Sequence, residues 1–211
     1  MVSLIVRLNT VLNQAAGGAG GISLLLLRIY LMPVLAQAGW QKLTNLDSTA
    51  DWFGNPDYGL GLPLPMVMAV LAAVTEFFGA WLLLFGLGTR LVAIPMMITM
   101  LVAMFTVHWN NGWLAIADAN SWLADGTLLL NESVMASPEK LAAAKSLLAE
   151  HGHIDWLTAS GNFVILNNGI EFASTYFVML FVLFCFGGGR YVSIDYYLHQ
   201  WLRQQASKKK S

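Results

Sequence analysis

Two ionisable residues fall inside apolar runs: Arg28 in LLLLRIYLMPVL (24–35) and Glu76 in TEFFGAWLLLFGLGTR (75–90). A guanidinium does not lose its charge in a protein, so Arg28 must reach water, a headgroup or a partner. By helix rise Arg28 lies about 9 Å, and Glu76 about 15 Å, from the same end of their runs. The two are therefore expected to form a polar intramembrane pair. The alternative is that Arg28 snorkels to the headgroups. A carboxylate at such depth can relay protons, and a buried pair can equally serve only to specify packing.

A second polar layer falls nearer the opposite end of the runs. Lys42, Asn167, Asn168 and Glu171, with His108, could line an outward-opening pocket; ordinary interface polarity is the alternative. The segment MMITMLVAMFTVHW adds soft donors. At 100° per residue Met97, Met100, Met104 and His108 fall at about 0°, 300°, 340° and 20°, one narrow stripe. Thioethers and imidazole suit Cu(I), and methionine also serves as a flexible filler of helix packing. His151 and His153, in HGHID, could add imidazoles or form a solvated turn. The one cysteine, Cys185, permits no intramolecular disulfide and no C-x-x-C pair. It reads as a small buried hydrophobe.

These residues need elements to hold them. Of 211 residues 57% are hydrophobic and 11% charged, against about 25% charged in an average globular protein. Mean hydropathy is +0.60. The fold class this implies is all-α: an integral membrane four-helix bundle with a long, partly helical extracytoplasmic loop. Spans are expected at 22–43, 64–86, 90–109 and 165–188, with an outer loop at 110–164. Residues 1–21 read as an amphipathic segment on the cytoplasmic face followed by a glycine linker, residues 22–188 as the membrane domain, and residues 189–211 as a basic tail. Arg28 and the glycines before it make a retained helix the expectation for the first run, not a cleaved signal peptide. In the outer loop, Ser137, Pro138 and Gly152 predict the start and stop of a helix.

The net charge of −1 is unevenly distributed. Arg7, Arg90, Arg190, Arg203 and Lys208 to Lys210 fall on one side, against Lys42, Lys140 and Lys145 on the other. The positive-inside rule then places both termini in the cytoplasm. The SKKKS tail reads as a contact for anionic lipid, and Leu198 with Trp201 as part of an interfacial helix. Nucleic-acid binding is not expected.

LLLLRIYLMPVLAQAGWQKL, with Arg28, Gly39 and Lys42, resembles the first-helix signature of the DoxX family. TEFFGAWLLLFGLGTR, with Glu76, Gly79, Gly86 and Arg90, resembles the second. RLVAIPMMITMLVAMFTVHW, ILNNGIEFASTYF and the long outer loop resemble the HvfX-type branch. The resemblance implies a multi-pass protein of the bacterial inner membrane. Membrane lipids and a second copy of the chain are further partner expectations. For the branch the resemblance implies an accessory role with copper, a copper-binding peptide or that peptide's maturation proteins on the periplasmic side. For other DoxX relatives it implies a quinone-interacting subunit of a membrane oxidoreductase, not catalytic alone. A structural scaffold is the third reading.

Overall fold

The computed structural model describes residues 2–208, apart from the side chains of residues 2–4, 15 and 18. Lys209 and Lys210 of the expected basic tail lie outside the described residues. The chain forms two compact units, residues 1–99 with 176–211, and residues 100–175.

In the first unit, α1 runs without a break over Val2–Thr44. The expected separation of a surface helix from the first span by glycines does not occur. Each glycine costs a helix only about 1 kcal/mol, and the alanine and leucine on either side carry the hydrogen-bond ladder through. α2 (Leu46–Gly54) packs Ala50 and Phe53 against Ala69 of α3 (Pro65–Phe85). The buried face of α3 is Ala69, Ala73, Glu76, Ala80 and Leu83 with Gly79, the three- and four-residue spacing of one helix side. It ends in a Schellman turn, in which Leu87 N–H donates to Leu82 O and Gly86 N–H to Leu83 O. Gly86 sits at φ +62°, where glycine carries no steric penalty.

α4 covers Thr89–Val102 and continues as a π-helical turn over Ala103–His108 and a 3₁₀ turn over Trp109–Asn111. Among the described residues, three helical stretches are long and apolar enough to cross a membrane: Ala19–Thr44, Pro65–Phe85 and Thr89–Asn111. The expected fourth span at 165–188 is shorter. α8 covers Glu171–Phe186, about 24 Å of helix, because the N–H groups of residues 167–170 donate to carbonyls of Gly112, Leu114 and Ala115.

The second unit holds the long loop. Among the described residues it contains α5 (Glu132–Met135), α6 (Ser137–His151) and α7 (Ile154–Leu157). Ser137 does not cap α6. The capping side chain acts one helix earlier, where Asn131 Oδ1 accepts from Val134 N–H at 3.2 Å. Gly152 does end α6, its N–H donating to Leu148 O. Residues 111–117 and 165–171 are clasped together: Ala117 N–H donates to Ile165 O, and Ile116 and Leu166 form an isolated antiparallel bridge. α9 (Ile194–Lys208) closes the described chain in the first unit.

Candidate functional site

The glycine at 39 decides where α1 meets α3. A Cβ on Gly39 would run into the Phe77 backbone, 2.8 Å from its Cα, so only glycine allows this approach. Lys42 stands one turn further along α1, and Glu76 stands beside Phe77. Lys42 Nζ donates to Glu76 Oε2 at 2.5 Å, with the glutamate side chain 8% exposed and the lysine 27%. The Trp40 ring leans on Phe77, centroids 5.6 Å apart. This gives a desolvated ammonium–carboxylate pair with one half-open edge at the lysine.

Arg28 and Glu76 do not form the expected pair. Arg28 and Lys42 are fourteen residues apart on α1, about 21 Å of helix, and each finds a different partner. Arg28 is fully buried. Its Nη1 donates to Leu84 O (2.9 Å), Val192 O (3.0 Å) and Leu83 O (3.4 Å), and Nη2 donates to Tyr191 O (2.6 Å). The last carbonyls of a helix have no intrahelical donor and carry the negative end of its dipole. A planar fork of N–H groups satisfies several of them at once. The carboxylate whose field reaches the guanidinium is Asp195.

Asp195 ties three helix ends together. Its oxygens accept from Gly88 N–H (2.7 Å) and Thr89 N–H (2.8 Å) at the start of α4. Its own N–H donates to Gly86 O at the end of α3. Sequence reading missed this residue, although one signal was present: GLGTR offers only a glycine ahead of α4, so the cap had to come from another segment. Gly86 is required here too, since a Cβ on it would sit 2.7 Å from Arg28 Nη1 and from Ser193 Oγ.

The remaining candidates lie in the second unit, apart from Met97 and Lys42. Lys42 bonds Glu76 within the first unit, and Asn167, Asn168 and Glu171 lie in the second. Those three residues build the clasp. Asn167 Nδ2 donates to Leu114 O (2.6 Å) and Asn111 O (2.7 Å), and Glu171 Oε2 accepts from Ala115 N–H (2.9 Å). Asn168, at φ +58°, turns its carbonyl toward His108 Nδ1 at 2.8 Å. Met100 and Met104 are buried, and Ser174 Oγ donates to Met104 Sδ. The π turn over Ala103–His108 bonds i to i+5. It therefore takes more than four residues per turn, and the 100° wheel that aligned Met104 with His108 fails there. His151 is exposed, 3.8 Å from Glu150, and His153 lines a shallow cavity with Asp155 and Trp156. Among the described residues no three of His, Cys, Asp and Glu gather as a metal site. Cys185 is exposed, not buried.

Residues 23–109 match the DoxX family model, and these contain Arg28, Gly39, Lys42, Glu76 and Gly86. The chain is 33% identical over 86 residues to a Bacillus subtilis (strain 168) protein named "Putative oxidoreductase CatD", covering 41% of this chain and 60% of that one. It is 31% identical over 87 residues to an Escherichia coli (strain K12) protein named "Inner membrane protein YphA", covering 41% of this chain and 59% of that one. The chain thus spans about 60% of the length of each curated relative. No solved structure gives a significant match. The chain is a membrane protein whose residues 23–109 resemble the DoxX domain.

Proposed function

We propose that this is a multi-pass inner-membrane protein of the DoxX family, with α8 as its fourth span and both termini cytoplasmic. In this reading it serves as the membrane subunit of an oxidoreductase complex that passes electrons to quinone. The observation that carries the reading is the Lys42–Glu76 pair inside the DoxX-matched segment. Reduction of a quinone to quinol takes two electrons and two protons; a partner subunit supplies the electrons, and Glu76 passes protons with Lys42 holding its charge. The name of the Bacillus relative supports the redox class. The test is quinone reduction by membranes containing this chain and its gene neighbours. Glu76→Gln should abolish turnover while leaving quinone binding, and an unchanged rate would remove Glu76 from the proton path.

A second reading belongs to the HvfX-type branch: a non-catalytic accessory handling copper or a copper-binding peptide. Its support is the burial of two thioethers, Met100 and Met104, in the unit that also carries His108. Cu(I) titration against Met100→Ala/His108→Ala separates it from the first reading.

A further inference from the structure

A cavity of about 570 Å³ opens where α3, α4, α8 and α9 end or begin. The Gly187–Gly189 turn, Arg90, Arg190 and His199 line it, with Leu91 and Phe186 at its margin. Its carboxylate, Asp195, is taken up by the N–H groups of Gly88 and Thr89, so the basic side chains set the character of the opening. Arg90 Nη2 donates to Cys185 O at 3.1 Å, one use of five N–H donors. Arg190 is held by Tyr191, through a 2.7 Å bond to the hydroxyl and a guanidinium 4.8 Å from the ring centre.

The position of the cavity identifies its occupant. Arg90 is the second residue of α4, where an apolar span begins, and Gly187 follows the last residue of α8. Both mark the level at which hydrocarbon gives way to headgroups. Leu91 and Phe186 are 76% and 69% exposed, an apolar wall for acyl chains directly beside the cationic lining. On α9, Ile194, Tyr197, Leu198, Trp201 and Leu202 form one stripe at 100° per residue, and all are exposed. Such a helix lies in the interface plane of a bilayer. We infer that this cavity binds the phosphodiester headgroup of an anionic phospholipid between Arg90, Arg190 and His199, with α9 laid on the bilayer beside it.

Full-length protein released from nanodiscs of mixed phosphatidylglycerol and phosphatidylcholine, weighed with its bound lipids, tests this. Wild type should retain phosphatidylglycerol in preference. Arg190→Gln/His199→Gln, which spares the Arg90–Cys185 bond, should lower that preference about fivefold. Arg203→Gln, elsewhere on α9, should leave it unchanged. Equal retention of the two lipids by wild type, or an unaltered preference in the double variant, overturns the inference. Should the double variant fail to fold, wild type alone decides: the preference must fall as sodium chloride rises, and a salt-independent preference overturns it. If inorganic phosphate in lipid-free detergent raises the melting temperature as much as phosphatidylglycerol does, the cavity takes a small anion and the lipid assignment fails.

Discussion

Lys42 Nζ and Glu76 Oε2 stand 2.5 Å apart, one helical turn beyond the point where Gly39 lays α1 against α3. Removing one member of a buried pair leaves an uncompensated charge, whereas removing both does not. Glu76→Gln should therefore destabilise the protein by about 1–3 kcal/mol, discounted for the part-exposed lysine. Lys42→Met/Glu76→Gln should recover at least half of that loss. A double-mutant cycle on unfolding in detergent measures the coupling, and additive losses would show that the pair does not interact.

Gly39 itself should tolerate nothing larger. An added Cβ lies 2.8 Å from Phe77 Cα, so Gly39→Ala must push the helices apart at a cost of about 1–3 kcal/mol. On the proposed reading, quinone turnover should fall with it, because Lys42 is displaced from Glu76. A melting curve indistinguishable from wild type would remove the close approach from the account.

Arg28 should resist conservative replacement. Its fork serves four carbonyls on two segments, and a lysine ammonium cannot reproduce that plane of donors. Arg28→Lys should retain part of the stability. Arg28→Met should lose more, since each buried acceptor left without a donor costs about 1–3 kcal/mol. Melting temperatures of both variants equal to wild type would show that charge and geometry are both unimportant.

The loop after α2 carries a pH signature. The exposed Tyr58 hydroxyl donates to the Asp51 carboxylate, which pushes the phenol above its ordinary range. A pKa raised by folding stabilises below the unfolded value, near pH 10, and is lost as pH climbs through the folded value. Trp52 fluorescence should report a transition above about pH 10. Tyr58→Phe should lack it while leaving neutral-pH emission unchanged.

Much of the architecture was legible because membrane spans are set by run length. The three long apolar stretches, the turn at Gly86 and the helix stop at Gly152 follow from residue type alone. The partner of Arg28 was not legible, because backbone carbonyls carry no letter in a sequence; any search for a counter-charge settles on the nearest carboxylate instead. Asn167, Asn168 and Glu171 misled for a related reason. Side chains that hydrogen-bond the backbone look the same in sequence as side chains that wait for a ligand. The Met104–His108 alignment failed because one π turn resets helical phase, and nothing in AMFTVH announces it.

Arg28 lies in the first span, yet two of its acceptors, Tyr191 and Val192, follow it by 163 and 164 residues. A chain made from its N-terminus places the charge in the membrane long before those carbonyls exist. The α3 turn at Gly86 supplies the earlier half of the socket, and the segment leading into α9 supplies the rest. Assembly therefore has an order: the segment leading into α9 locks α1. Nascent chains halted before Tyr191 should keep α1 sensitive to membrane proteases, and chains released after α9 has been made should have it sealed.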